Sequence, residues 1–490
     1  MKEKASRIMV PVSVQAVRGN RFRLLFWGSA LSLLLFYALE LGLIHAWNPN
    51  YLKDFHQAVN PDAVTYVQLG QNLWQRGEYS RNPNPPYLPD FKWTPVFPFL
   101  AGAMSALGGV SAILVMNVLL TLSGAFLLAR LAFRMTRSRK ISFLLFIFLA
   151  LDPLVWSVNL QAMSDAAFLF FLILGAYWTV PALFLETSFS WKHFACMVLG
   201  GLAFSLGTLT RPTGLYVPWI FWIAICGAFG WKFFQTFRHR ENFAWSWFNR
   251  QLSLMMVFLA AALLPVSLWM LRNWEVFGKM ALCSNQNLVM VYYTGGGAWQ
   301  TELGCSLEEA QTRIQREFHL PPNYVCQNPE AFGVDQTRID DQLEACRGKV
   351  LTRYPKSLFI SSCRGVLKSL LAHETRTLLA ISRGPNAPGP NDSIWGSWVF
   401  VWSLLFQGTL LGLTVWTLLF SLRDLRVFAA RNPALALALV GWAAYFLLTM
   451  MLSGVDCCAR YRLPLMPIFY LCAAWRLSKM APLGSSEGKL

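Results

Sequence analysis

Charge is scarce in this sequence. Only 14% of its 490 residues are Asp, Glu, Lys or Arg and 55% are hydrophobic, whereas a soluble globular domain has about 25% charged residues. No internal repeat and no low-complexity tract is present, which excludes a repeat architecture. No two cysteines are spaced Cys-x-x-Cys and no histidines stand at ligand spacing beside them, which argues against zinc. The glycine run Thr294–Gly297 lacks the Gly-Lys-Ser/Thr ending of a nucleotide-binding loop and reads as a flexible turn. The formal charge is +17, but no recognised basic motif accompanies it, so nucleic acid is not expected as a partner.

What the sequence does have is long apolar runs, at about 24–46, 111–133, 141–160, 166–185, 194–210, 212–230, 252–271, 394–420, 434–453 and 463–478. Each is near the ~20 residues that cross a hydrocarbon core of ~30 Å. In lipid every backbone polar group must be paired internally, so such runs are helices. Lys2, Lys4, Arg7, Arg18, Arg21 and Arg23 precede the first run, which exceeds a signal-peptide core of ~7–15 residues. No small-residue cleavage site follows, so this run is expected to be an anchored helix. The fold class expected is an all-α polytopic membrane protein of about ten crossings, with outer juxtamembrane helices and a large outer loop.

Ten crossings alternate sides, and the basic short segments then all fall on one side: Arg134–Lys140, Lys192-His193, the stretch 231–251 and Arg423–Arg431. That is the positive-inside pattern with both termini inside. Segment 95–109 is apolar but short and carries Pro95 and Pro98, so an interfacial or re-entrant helix on the outer face is expected there. The expected division is a basic inner N-terminus (1–23), a membrane core (24–271) with outer loop 47–110, a large outer stretch (272–394), C-terminal membrane helices (395–478) and an inner tail (479–490). Cys283, Cys305, Cys326, Cys346 and Cys363 fall in the large stretch and Cys457 and Cys458 in the last outer turn, as an oxidising compartment permits.

Chemistry-bearing residues gather in the outer segments. Asn60-Pro61-Asp62 reads as a helix start, with Asn60 as N-cap, Pro61 at the first position and Asp62 in the first turn. The helix that follows places Asp62, Tyr66, Leu69, Gly70 and Leu73 on one face. Asp165, in Gln161-Ala-Met-Ser-Asp165, sits at the outer mouth of the fourth crossing. Ionisable groups at membrane depth are functional candidates, although Ser164 and Asp165 also suit a helix cap. Asp152, before Pro153, is a third carboxylate and first a turn signal. Arg211 interrupts two apolar runs, and Arg460-Tyr461-Arg462 opens the last one. Cations on the outer side run against the charge rule; a phosphate or anionic headgroup would account for them, and so would snorkelling to the interface.

In this order, the pieces resemble the glycosyltransferase C superfamily of membrane enzymes. The likeness is to the bacterial branch of protein O-mannosyltransferases and the aminoarabinose transferases that modify lipid A. It rests on Asp62-x-x-x-Tyr66 followed by Leu73 and Gly77-Glu-Tyr79, Trp93-Thr-Pro-Val-Phe-Pro98, Met163-Ser-Asp165, Thr210-Arg-Pro-Thr-Gly214, Arg272-Asn-Trp-Glu-Val-Phe-Gly278 and Arg460-Tyr-Arg-Leu-Pro-Leu-Met-Pro467. It covers about residues 24–478. The chain departs from it at Ala63, where many relatives carry a second acid, and at Asp165, where Glu is common.

The resemblance implies transfer of a sugar from a polyprenyl-phosphate carrier to a lipid, glycan or protein acceptor hydroxyl on the outer face of the plasma (inner) membrane, with inversion at the anomeric carbon. Asp62 inherits the role of catalytic acid residue. As a positioned carboxylate it would take the acceptor's proton. Arg462, with Arg211 as second choice, would stabilise the departing phosphate, and Tyr66, Arg460 and Tyr461 would line the substrate site. Asp165 would orient the acceptor or Asp62, or help hold a divalent cation, Mg²⁺ or Mn²⁺, which prefers oxygen ligands; two separated aspartates do not define such a site and none is assigned. A transporter or lipid flippase is the alternative, for which inverted repeats and helices broken near the midplane are the sign; neither is seen in the sequence. A non-enzymatic scaffold using the large loop predicts that the outer acids do not converge.

Overall fold

The computed structural model describes residues 19–48, 51, 61–183, 191–238, 245–327, 334–372, 375–383, 394–420, 433–456 and 458–480. The basic N-terminus up to residue 18, Asn60, Arg423–Arg431, Cys457 and the tail after residue 480 lie outside them. Every regular element among the described residues is helical.

The membrane elements are α1 (Gly19–Trp47), α3 (Val96–Thr136), α4 (Arg139–Ala150), α5 (Pro153–Asn159), α6 (Asp165–Leu183), α7 (Trp191–Thr210), α8 (Val217–Arg238), α9 (Trp245–Phe277), α17 (Ile394–Phe420), α18 (Pro433–Ser453) and α19 (Met466–Met480). Each of the ten apolar runs is helical over most of its described residues. Among the described residues, seven helices are long and apolar enough to cross a membrane alone, and α4 with α5, bent by 51°, makes an eighth. The remaining two runs lie in α6, of 19 residues, and α19, of 15 residues. The architecture is that of a multi-pass membrane protein. Of the most apolar stretch of α3, 61% of residues are buried and of α7 56%, against 17% in α1 and 22% in α17, so α3 and α7 are central and α1 and α17 turn side chains such as Leu35 and Leu405 outward.

Segment 95–109 is a helix of its own. It opens α3, and the helix is interrupted at Gly108 and Gly109, the latter at φ 63°, a conformation that favours glycine. The short α2 (Pro61–Arg76) lies against this first part of α3. The approach is between glycines: a Cβ on Gly70 would sit 2.2 Å from the Pro98 carbonyl oxygen, and one on Gly102 2.3 Å from that of Gly70. Trp74 Nε1 adds a 2.7 Å bond to the Phe99 carbonyl. This docking fixes where α2 begins, and hence where Asp62 stands.

The stretch 272–394, expected as a polar loop, folds as helices. They are α10 (Asn285–Leu288) running into a π-helical turn (Val289–Gly295), α11 (Gly296–Leu303), α12 (Leu307–Phe318), α13 (Asn323–Gln327), α14 (Gln336–Thr352), α15 (Pro355–Leu371) and α16 (Thr375–Arg383). They have their own core of Leu288, Tyr292, Trp299, Ile314, Leu343 and Val350 among others. The expectation of a flexible turn at Thr294–Gly297 is corrected here. Those residues are helical and buried; Cβ atoms on Gly295 and Gly297 would meet Val350 and Val455, and the Thr294 hydroxyl donates to the Leu452 carbonyl. The glycines serve close helix contact. α15 packs on α18, and α16 touches α1 and α17.

Candidate active site

Four stretches far apart in sequence supply one charged cluster at one end of the bundle. α6 and α7 run side by side, and the start of the first meets the end of the second. Asp165 opens α6, where the helix dipole favours a carboxylate. α7 ends at Thr210; Pro212 follows Arg211 and holds it extended, at φ −142° and ψ 128°. Arg211 Nη1 pairs with Asp165 Oδ1, with the Asp165 side chain 1% exposed. The short 3₁₀ turn Pro212–Gly214 is held by the Tyr445 hydroxyl, which donates to the Thr213 carbonyl at 2.8 Å.

α2 brings the second acid. Asp62 is half-buried in its first turn. Tyr66, one turn on, is buried with its ring between Trp93 and Phe97, at centroid distances of 4.9 and 5.1 Å. The Ser164 hydroxyl donates to the Tyr66 phenol oxygen at 3.4 Å, tying α2 to the turn before Asp165. Burial, with the Asp62 charge added, holds the phenol above its ordinary value against the pull of Arg211, so it stays neutral.

The third contribution is a 3₁₀ segment, Ala459–Leu465, between α18 and α19. Burial pulls the Arg460 guanidinium toward neutrality, but the Asp165 and Asp62 carboxylates outweigh it and hold it a firm cation, with Cys458 and Tyr461 also close by. Arg211 is likewise raised: burial opposes its charge and Asp165 restores it, while Arg460 repels. So Asp62, Tyr66, Asp165, Arg211, Arg460 and Tyr461 stand in one electrostatic neighbourhood. Two buried atoms in it have no hydrogen-bond partner within the protein: Asp165 Oδ2, an acceptor, and Arg460 Nη1, a donor. Buried polar atoms are nearly always partnered, so such a pair asks for an explanation.

Arg462 is placed differently from expectation. Its Nη1 donates to the carbonyls of Ser369, Leu370 and Ala372 at 3.2, 2.7 and 3.1 Å, and it lines a cleft with Asp152, Ser403 and Gln407. Residues two apart on this helical segment point to different faces, so Arg460 turns to the acids and Arg462 away. Asp152 is the N-cap of α5, accepting from Leu154 N at 2.9 Å, and accepts from the Tyr470 hydroxyl at 2.8 Å.

The remaining motif residues build the frame. Gly77, at φ 74°, ends α2, and the Tyr79 hydroxyl donates to the Trp93 carbonyl at 3.0 Å. Arg272 Nη1 donates to the Asp90 carbonyl at 2.9 Å and lies over the Trp269 ring. Arg81 pairs with the Asp90 side chain, and Arg81 and Lys92 both donate to the Gln327 carbonyl, joining the 77–94 loop to α13. No group of three or more His, Cys, Asp and Glu among the described residues is placed to hold a metal ion. Asp62 and Asp165 alone do not fit an octahedral cation, and Arg211 already occupies one carboxylate oxygen, so no step is assigned to a metal.

No family model and no curated protein sequence matches the chain. Among solved structures it is similar to ArnT from Cupriavidus metallidurans in the apo state, with TM-score 0.35 and 14% identity over 91% of this chain and 78% of that one. The same enzyme bound to undecaprenyl phosphate gives TM-score 0.29, 14% identity and the same coverage of 91% and 78%. The archaeal oligosaccharyltransferase AglB from Archaeoglobus fulgidus, in complex with an inhibitory peptide and a dolichol-phosphate, gives TM-score 0.37 and 13% identity over 91% of this chain and 50% of that one. The chain thus spans half the length of the archaeal enzyme.

Proposed function

We propose that this chain is a membrane glycosyltransferase that moves a sugar from a polyprenyl-phosphate carrier to an acceptor hydroxyl by inverting direct displacement. One observation carries the reading: two carboxylates and two guanidiniums from separate parts of the chain converge at one end of an apolar bundle, and leave a buried acceptor and a buried donor unpartnered within the protein. An activated sugar on a lipid phosphate presents what such a cluster would bind, an anion beside hydroxyl groups.

In this reading Asp62 accepts the acceptor's proton as its oxygen attacks the anomeric carbon, and the bond from that carbon to the phosphate oxygen breaks with its electron pair on the phosphate. Arg460 holds the phosphate, through the Nη1 that no protein group engages. Arg211 holds Asp165 in place through its ion pair, and Asp165 Oδ2 receives a hydroxyl of donor or acceptor. Tyr66 bounds the site as a neutral phenol. The basic segments 134–140 and 231–251 belong on the cytoplasmic side by the charge rule, which puts this cluster on the extracytoplasmic side of a plasma membrane.

The test is a transfer assay with purified full-length protein in nanodiscs and a panel of polyprenyl-phosphate sugars. Asp62→Asn keeps the size and removes the base, and turnover falls by about 10²-fold or more. Undiminished turnover in that variant removes Asp62 from the chemistry.

A further inference from the structure

Arg460 and Arg462 share one short segment but serve different neighbourhoods. The Arg462 guanidinium crosses the last carbonyls of α15, where a helix leaves acceptors unsatisfied and favours a cation. It also lies within electrostatic range of Asp152, with which it lines one cleft. Asp152 in turn caps α5 and receives the Tyr470 hydroxyl of α19. α5 leads through the turn 160–164 to Asp165, while Arg462 stands two residues from Arg460. The two chain segments that carry the unpartnered donor and acceptor of the site are therefore joined behind it.

We propose that Arg462, Asp152 and Tyr470 form a positioning latch that sets Arg460 against Asp165. Arg462 acts through the chain; it fixes the 3₁₀ segment so that Arg460, two residues earlier, faces the acids. The latch is argued from the Arg462 and Tyr470 hydrogen bonds and the cleft that Arg462 shares with Asp152, whereas its consequence for phosphate binding rests on the transferase reading of Arg460. The two are tested separately.

Cys458 is a native reporter. It is the N-cap residue of the segment and is half-buried. Alkylation of Cys458 by N-ethylmaleimide is followed by peptide mass spectrometry in the full chain in nanodiscs, in a Cys457→Ser background. Arg462→Gln and Asp152→Asn each raise the rate about tenfold, and the double variant goes no further than the larger single effect. Arg462→Lys, which keeps the charge without the guanidinium fork, gives a smaller rise. Undecaprenyl phosphate affinity, measured on the same samples, falls in step with the labelling. An unchanged Cys458 rate in both single variants, or single effects that multiply in the double, overturns the latch. Labelling as expected with no undecaprenyl phosphate bound even by the unsubstituted protein upholds the latch and removes the transferase reading.

Discussion

At the scale of single residues, the buried charges decide what can be changed. Asp165 and Arg211 are a buried pair, and removing one partner leaves the other uncompensated. Asp165→Asn is expected to destabilise the folded protein by about 3 kcal/mol, and Asp165→Asn with Arg211→Gln to recover part of that without recovering turnover. Thermal unfolding in detergent, read beside the transfer assay, checks both. Arg460→Gln removes the unpartnered donor, so polyprenyl-phosphate binding weakens by about tenfold or more. Equal binding by that variant would take the phosphate away from Arg460. Both acids were legible in the sequence because each opens a helix, with Pro61 before one and Ser164 before the other. The choice between Arg460 and Arg462 was not legible. It depends on carbonyls some 90 residues upstream, which capture one of the two guanidiniums.

At the scale of elements, the site depends on how α2 sits on α3. Gly70→Ala places a methyl 2.2 Å from a backbone oxygen and 2.5 Å from the Gly102 nitrogen, neither of which can yield as a flexible side chain does. α2 must then lift, carrying Asp62 with it, so turnover falls by about 10²-fold while the bundle still folds. The amphipathic face of α2 was readable from Tyr66, Leu69 and Gly70, all buried; the partner of that face was not, because glycine packing leaves no pattern beyond small residues. The helices of 272–394 show the opposite failure. Their overall polarity suggested a loop, yet Ile339, Leu343, Cys346 and Val350 recur at helical spacing and form one buried stripe. Composition outweighed period where period carried the signal.

At the scale of the molecule, ten apolar runs and the side-alternation of charge sufficed for the multi-pass helical architecture. They did not reveal that α6 and α19 both meet the charged cluster or the segment that feeds it. The proposed topology makes a prediction of its own: single-cysteine labels beside residues 62 and 460 react with an impermeant reagent from outside intact cells, and a label in 134–140 does not. The account's central claim, that Arg460 holds a lipid phosphate opposite Asp62, is tested most directly by an electron cryomicroscopy structure of the protein with undecaprenyl phosphate. The claim predicts phosphate density about 2.7–2.9 Å from Arg460 Nη1, on the side of the cluster where Asp62 lies. Phosphate density lodged instead in the Arg462–Asp152 cleft, with none at Arg460, would contradict it.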